Sequence, residues 1–495
     1  MIRAFSAALL LLLVPVLNGQ DNADPLAREA AISKAWAILR STLNAGDLQG
    51  QLAAVSALTM ADTPDALELF ERLARTGTEP VRNTALSYLP ATSNRDYLPL
   101  VADALNDPSL SVRREAIQRL AFFHDGRAVK LLQDVIARHD ADTVESAMSS
   151  ARNLGSLGID ALLSGADNVD DRVALPSLRT IEILLDPTFS SAAPDNLVAL
   201  RGHRPEALLT RALKHLSPDV RVLAALILAR LGRDDGVPEL IRAAESADLR
   251  FGTSLSARRA MAALHALGRD GYLALLSAAL LGSDRRARWD AASALRAFPH
   301  PSTISLLTDV WRGTSDIRLY AFEALIRRDG EPDLALAREG LVDSSEDIRL
   351  RAAEEILALG LDAPTLDVVE PLVHRRETRH AALSLLIKRG DPRRTATLAR
   401  SLLPTALEEA AQTRGYDNGY RYSIVYALEV VRDQDAVPVM GTLFGPDRNL
   451  TYRVVRALMA IGGDKARETL VRAMDAPDSS ARALAAGGVI HVYSH

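Results

Sequence analysis

Four segments decide the fold: ARWDAASAL at 287–295, IRLYAFEAL at 317–325, IRLRAAEEIL at 348–357 and TRHAALSLL at 378–386. Each carries an arginine in its second position, and Arg288, Arg318, Arg349 and Arg379 follow one another at 30, 31 and 30 residues. A fixed period of this length is typical of a repeat array. The 495 residues are therefore read as one array and not as several globular domains.

The same frame recurs along the chain, at Arg82, Arg113, Arg221, Arg421, Arg453 and Arg482. Most copies have alanine three residues after the arginine, and many have leucine seven residues after it. These two positions share one face of a helix. The alanine lets a neighbouring helix approach and the leucine fills the remaining space, so each segment is predicted to be the first helix of a unit.

A second helix is predicted after a short break that often contains glycine, which tolerates the left-handed conformation at helix ends. Asp235-Gly-Val-Pro238 and Asp435-Ala-Val-Pro438 open two such helices, and proline is favoured in a first helical turn. Aromatic residues make up only 4% of the chain, which favours helices over strands. We predict an all-α solenoid of about 13 to 14 helix-turn-helix units.

The Val/Ile-Arg-x-x-Ala-x-x-x-Leu frame and the Asp-x-Val-Pro opening resemble the HEAT repeat family, in particular its short bacterial, phycobilisome-lyase-like variety. The resemblance covers roughly residues 47 to 491. It implies a polar ladder between units, in which an aspartate six residues before the arginine takes part. This spacing is present at Asp107 and Arg113, at Asp343 and Arg349, and at Asp447 and Arg453. It is absent at Arg221, Arg318 and Arg379, where the ladder should be broken; Arg288 belongs to the same frame.

The first 20 residues predict a signal peptide, because Arg3 precedes an apolar stretch from Ala7 to Leu17 that is short for a membrane span. An uncleaved membrane anchor and a buried first helix are the alternatives. We expect an exported bacterial protein, periplasmic or extracellular. No membrane span is expected after signal removal, since no later stretch reaches about 18 apolar residues without charges.

The rest of the chain divides into a capping helix within 21–46 and a solenoid over 47–495, with insertions at 186–204 and 404–420. The last predicted helix ends at His495 without a partner helix. Because the end units of a solenoid must shield an apolar flank, this flank either docks on something or belongs to an incomplete cap. Self-association through the C-terminal end is one possibility.

Motifs that carry chemistry are absent: the sequence has no G-x-x-x-x-G-K-[ST], G-x-S-x-G or H-E-x-x-H pattern and no cysteine. We expect no enzyme activity and no cofactor. The net charge of −5 argues against a nucleic-acid partner. His374, Glu377 and His380 are potential metal ligands, but they straddle a turn that carries three arginines, which favours surface roles over a metal site.

Four of the ten tyrosines fall within eleven residues, and tyrosine and arginine are enriched at binding hot spots. Arg414, Tyr416, Tyr420 and Tyr422 are therefore candidate binding residues. Tyr416 and Tyr420 do not fit the apolar spacing of a helix, so both are expected to be exposed. The alternative is that Tyr422 and Tyr426 pack within a helix and that the loop is ordinary.

These patterns favour a protein-binding or scaffolding solenoid in which the second helices line a concave groove for a protein or peptide partner. A repeat enzyme similar to the phycobilin lyases is the alternative that the family resemblance implies. A purely structural, self-associating component of the cell envelope is the third interpretation.

Overall fold

The computed structural model describes residues 25–89, 96–138, 141–186, 192–245, 253–326, 333–358, 363–412 and 418–495. The predicted signal peptide, Arg414 and Tyr416 lie outside these ranges. Within them, every regular element is a helix, which confirms the all-α prediction. No helix in the described part of the chain is long and apolar enough to cross a membrane.

The first ten α-helices are α1 (Pro25–Asn44), α2 (Leu48–Ala61), α3 (Pro64–Thr76), α4 (Glu79–Ser87), α5 (Leu98–Ala104), α6 (Leu110–Leu120), α7 (Gly126–Ala137), α8 (Ala141–Asn153), α9 (Ile159–Ala166) and α10 (Asp171–Leu185). The next ten are α11 (Ala193–Gly202), α12 (Glu206–Ala212), α13 (Pro218–Arg230), α14 (Val237–Glu245), α15 (Thr253–Ala266), α16 (Tyr272–Leu281), α17 (Arg285–Ala297), α18 (Ile304–Arg312), α19 (Arg318–Ile326) and α20 (Leu334–Leu341). The last nine are α21 (Glu346–Ala358), α22 (Ala363–Val369), α23 (Arg379–Arg389), α24 (Pro392–Gln412), α25 (Asn418–Val431), α26 (Val437–Met440), α27 (Arg448–Ile461), α28 (Gly463–Ala473) and α29 (Ser479–Ser494).

Fourteen of these helices are first helices, and each packs against the next along the chain: α2, α4, α6, α8, α10, α13, α15, α17, α19, α21, α23, α25, α27 and α29. A second helix follows each of the first thirteen, and α11 is an extra helix. The first helices are rich in alanine and most of their apolar side chains are buried. Small side chains let their axes approach closely, as the alanine spacing predicts.

The array closes on itself, because α29 packs against α2. The two helices run parallel: Ser479 meets Asp47 at their N-terminal ends, and His495 Nε2 lies 3.2 Å from the Asp62 carbonyl oxygen at their C-terminal ends. A Cβ added at Gly487 would collide with the Ala57 carbonyl group. The helices are therefore in backbone contact, and glycine is needed there. We call this α29–α2 contact the seam.

Helix α1 supplies the missing partner of α29. It packs on both α29 and α2, as a second helix packs on its own first helix and on the next one. Lys34 on α1 forms an ion pair with Asp475 at 2.7 Å. The N-terminal helix is thus the second helix of a fourteenth unit, so the expectation that the last helix lacks a partner helix is wrong, and its flank docks on α1 and α2 of the same chain. Self-association through that flank loses its basis, since the chain covers the flank itself.

The first helices form the inner side of the ring. Helices two units apart come closest on the inside of a curve, and contacts that skip a unit join first helices: Glu182 on α10 reaches Arg259 on α15, and Arg230 on α13 reaches the carbonyl oxygen of Ala297 on α17. Polar contacts on second helices, such as Gln133 with Asp160, join neighbouring units. The expectation that second helices line the concave side is therefore wrong.

Both predicted insertions contain helix. Residues 193–202 of the first form α11, which packs on α10 and α9, and the buried Asn196 side-chain amide donates to the Leu184 carbonyl oxygen at 2.8 Å. In the second, α24 continues through Pro404 to Gln412, and α25 begins at Asn418. Much of the second segment is thus an extension of a second helix.

Candidate functional site

The tyrosine-rich segment divides between the core and the inner face. Tyr420 is only 4% exposed, and its hydroxyl donates to the Val373 carbonyl oxygen at 3.0 Å. Its ring lies edge-on to His380, with centroids 5.3 Å apart. The expectation that Tyr420 is exposed is therefore wrong, because it fills space between units. The described residues contain no group of three or more His, Asp or Glu side chains placed to hold a metal ion, and His380 is part of this packing.

Tyr422 instead lines a cavity of about 310 Å³ on the inner side of the ring, which we call the tyrosine pocket. Tyr426 and Glu429 follow Tyr422 at four and seven residues on α25, so helical periodicity places all three on one face. Helix α27 contributes four more residues by the same spacing: Asn449, Tyr452, Arg453 and Arg456.

The eighth residue of the pocket, Tyr88, comes from the other side of the seam. It directly follows α4, and its ring lies edge-on to Tyr452 with centroids 4.9 Å apart. Its hydroxyl is 3.5 Å from Asn449 Oδ1. Between α27 and α4 the ring contains α29 and α2. The pocket is thus complete only when the seam is closed.

Of the two arginines that line the pocket, only Arg456 forms an ion pair with a carboxylate. Glu429 Oε1 lies 3.2 Å from Arg456 Nη2. Burial raises the pKa of Glu429, although Arg456 and Arg453 both act to lower it. The Arg453 guanidinium lies 5.3 Å from the centroid of the Tyr422 ring. No hydrogen bond or ion pair joins the Arg453 guanidinium to any residue that the structure describes.

The pattern of the polar ladder explains why the Arg453 guanidinium has no carboxylate partner. In an ordinary unit the aspartate carboxylate binds the arginine of the preceding unit: Arg82 Nε and Nη2 each donate to Asp107 at 2.7 Å. The arginine six residues later, Arg113, binds the backbone carbonyl oxygen of Asp107 at 2.9 Å. The predicted pairs Asp107–Arg113, Asp343–Arg349 and Asp447–Arg453 are therefore corrected, since the carboxylates bind Arg82, Arg318 and Arg421 respectively.

By this rule the carboxylate partner of Arg453 would come from the next unit, six residues before Arg482. That position is Ala476, whose backbone carbonyl oxygen binds Arg482 at 2.8 Å. Arg453 has no carboxylate to bind there, and its guanidinium lies over the Tyr422 ring at the edge of the pocket.

The ladder breaks expected at three arginines are filled by other contacts. Arg221 binds the His215 carbonyl oxygen at 2.9 Å and Glu239 at 3.3 Å, Arg318 retains Asp343, and Arg379 lies over the Tyr420 ring at 4.4 Å. Arg288 uses Asp316 of the next unit at 2.8 Å. Asp316 lies four residues after the position that the ladder aspartate would occupy. Both positions lie just before the start of α19, so the Asp316 carboxylate is close enough to reach Arg288.

A larger cavity of about 570 Å³ lies between α17 and α19, beside Trp289 and Tyr320. Its charges are engaged internally: Arg285 Nε lies 3.3 Å from Asp316, and Arg286 Nε lies 3.1 Å from Asp290. The tyrosine pocket differs in offering a guanidinium that the chain itself leaves without a carboxylate. It is therefore the stronger candidate for recognition.

A buried network of charged side chains joins α10, α13 and α15, and the sequence analysis did not predict it. We call this part of the ring the α15 turn. Arg259 donates to Glu182 and to Asp186, each at 2.6 Å. Arg230 Nη2 lies 3.3 Å from Glu182 Oε1, and its guanidinium lies over the Phe298 ring. Charged residues inside apolar stretches such as TIEILL at 180–185 were the available signal.

The chain was compared with protein-family models, with curated proteins and with solved structures. Residues 68–155 match the family model described as HEAT repeats. A crystal structure of an engineered protein is 15% identical, with 93% of this chain and 98% of that chain covered and a TM-score of 0.28. A structure reported with a phosphorylation switch in the interaction between cadherin and beta-catenin is 16% identical, with 85% and 99% covered and a TM-score of 0.28. No curated protein matches the chain. The family match confirms the resemblance, and residues 68–155 carry HEAT repeats.

Proposed function

We propose that the protein is a non-enzymatic binding or scaffolding ring that holds a protein or peptide partner at the tyrosine pocket. The observation that carries this proposal is the pocket itself, in which Tyr88, Tyr422, Tyr426 and Tyr452 line one cavity with Arg453, whose guanidinium lies over the Tyr422 ring and forms no ion pair with a described residue. Tyrosine offers a large, rigid contact area with a polar tip, and arginine offers a planar set of donors. Both are enriched at binding hot spots.

The proposed place of action is the cell envelope or the exterior. Arg3 and the apolar stretch from Ala7 to Leu17 support export. N-terminal sequencing of the native protein should give a start between about Asn18 and Asp24. An intact Met1 on protein from the soluble cytoplasmic fraction would contradict export without touching the binding proposal.

The binding proposal is tested by affinity capture from the native envelope fraction with the wild-type chain, a Tyr426→Ala variant and a control. Tyr426 is 45% exposed, so its removal should leave the fold intact while depriving a partner of contact area. Phe122→Ala is the matched control, because Phe122 is a 68% exposed aromatic residue in another unit. The partner should be lost only with Tyr426→Ala. Equal recovery with all three chains would contradict the proposal.

A further inference from the structure

We propose that the tyrosine pocket binds an acidic peptide segment, with a peptide carboxylate on Arg453 and the neighbouring part of the peptide against the rings of Tyr426 and Tyr88. This inference rests on the proposed function and adds the chemical class of the ligand. It further implies that the peptide binds the closed ring in preference to an open one.

The charges of the pocket select an anion. Arg453 and Arg456 oppose the single carboxylate of Glu429, and Arg456 already engages that carboxylate at 3.2 Å. Arg453 is left with its planar set of N–H donors, which matches a carboxylate in two parallel hydrogen bonds. The side chain of Glu429 is only 13% exposed, whereas Arg453 is exposed to solvent and accessible to a ligand carboxylate.

The size and lining of the pocket favour a peptide over a small anion. A cavity of about 310 Å³ exceeds what a carboxylate group alone would fill. Tyr426 and Val430, four residues apart on the same face of α25, are 45% and 47% exposed. They extend an apolar strip away from Arg453, along which the residues next to the carboxylate can pack.

The seam makes binding depend on ring closure. Tyr88 lies on the α2 side of the seam, whereas Tyr452 and Arg453 lie on the α29 side. A peptide on Arg453 that also contacts Tyr88 spans both sides. A ligand that binds only the closed arrangement stabilises that arrangement, so the peptide and the seam should reinforce each other.

The test is a selection from a random peptide library displayed on phage, with the full chain immobilised, followed by calorimetry on the enriched peptides. Enriched peptides should carry Asp or Glu, and changing that residue to Asn or Gln should weaken binding. Arg453→Gln should weaken binding by about 10- to 100-fold, the range expected for a bond between charged groups. Glu429→Gln should tighten it, because the substitution removes a negative charge next to the ligand carboxylate.

The matched control is Arg113→Gln. Arg113 occupies the same frame in another unit and binds backbone carbonyl oxygens, so its loss should leave peptide affinity unchanged. Enriched peptides without acidic residues, or equal affinities of the Arg453→Gln and wild-type chains, would overturn the inference. The inference would also be overturned by the reversed pattern, in which Arg453→Gln tightens binding and Glu429→Gln weakens it, because that pattern indicates a cationic ligand. In each case, capture of the native partner that still depends on Tyr426 would leave the proposed function standing.

Dependence on closure is tested across the seam. Gly487→Val should separate α29 from α2 and lower the affinity for the selected peptide. A second chain adds Gly50→Cys and Ser479→Cys, since a Cβ at position 50 lies 3.1 Å from Ser479 Oγ and the chain has no other cysteine. The Asp47 carboxylate, 2.6 Å from that Cβ, has to rotate away, so the same cysteine pair in the chain that retains Gly487 is the control. Oxidation of the second chain should restore the affinity and reduction should remove it. Peptide affinity that is the same in wild type and in the reduced Gly487→Val chain would overturn the coupling.

Discussion

The seam and the turn around α15 lie roughly on opposite sides of the ring, and they solve the same packing problem in opposite ways. At the seam, glycines without side chains allow close contact: Gly487 meets the Ala57 backbone, and Gly488 leaves room for Val455 of α27. At the α15 turn, long charged side chains fill the inner side and pair with one another: Arg259 holds Glu182 and Asp186, both of them almost fully buried.

The two solutions should fail differently. Close apolar contact involves many weak interactions and no desolvated charge. A strained seam can therefore separate while the units on either side of it stay folded. Buried ions carry a large desolvation cost that is offset only when every partner is present. Loss of one partner at the α15 turn should therefore destabilise the units themselves, whereas an enlarged residue at the seam should mainly open the ring.

The largest effect is expected at the charged turn. Arg259→Met leaves Glu182 without its 2.6 Å contact and Asp186, which is fully buried, without its closest arginine. The free energy of unfolding should fall by about 3–5 kcal/mol, as for other broken buried ion pairs. Urea denaturation measures this change.

Arg127→Met is the control for that variant. The Arg127 side chain is 62% exposed and pairs with Asp96 and Asp125, and exposed pairs contribute at most about 1 kcal/mol. Similar losses from the two variants would show that burial does not set the contribution of these charges.

A smaller effect, with a change of shape, is expected at the seam. Gly487→Val should cost about 1–3 kcal/mol through overpacking, and small-angle X-ray scattering should show a larger radius of gyration as the ring opens. Gly46→Ala is the control close to the same seam, since nothing lies within 4 Å of an added Cβ there. An unchanged radius in a destabilised Gly487→Val chain would mean that the seam deforms without opening.

The polar ladder provides a third loss of stability with which the losses at the seam and at the α15 turn can be compared. Arg82→Met leaves the Asp107 carboxylate, 10% exposed, without its two 2.7 Å bonds, and should cost about 1–3 kcal/mol. Arg113→Met should cost less, because only backbone carbonyl oxygens lose a donor. Urea denaturation of the two variants measures the free energy of unfolding. A larger loss of stability in Arg113→Met than in Arg82→Met would contradict the assignment of the Asp107 carboxylate to Arg82.

The same contact predicts a pH dependence at the ladder. The hydrogen bond from Arg82 is the largest influence on Asp107, and it lowers the pKa of that carboxyl. Its contribution to stability is therefore present at neutral pH and is lost as the pH falls through the lowered folded-state pKa. Arg82→Met should lose this acid sensitivity, which denaturation at several acidic pH values would detect.

The smallest effect is expected from acidification of the seam. Burial lowers the pKa of His491, and the neighbouring His495 adds to the shift, while Asp62 opposes it. The unfolded chain then binds more protons than the folded one near the ordinary histidine pKa of about 6.5, so stability should fall as the pH drops through that range. His491→Phe should flatten part of this slope between about pH 7.5 and 5.5. An unchanged slope would exclude His491 as a contributor.

Helix pairs could be predicted from the sequence because their signals are local. The Arg-x-x-Ala-x-x-x-Leu spacing places the packing residues on one helix face, and the period of 30 or 31 residues repeats the unit. The tyrosine site could be predicted only in part. Tyr420 and Tyr422 are two residues apart and so point about 200° apart around α25. Which of them faces the core depends on how the helix is rotated against its neighbours.

Ring closure, the pocket across it and the buried charges were decided by tertiary structure alone. Closure depends on a small bend per unit summed over fourteen units, and no single segment encodes that sum. Tyr88 meets Asn449 across 361 residues, and Arg259 meets Asp186 across 73. The sequence by itself determined which residues form each unit, because a helix is specified by neighbours along the chain. Only the accumulated curvature decided which distant units meet, and therefore which side chains form a site.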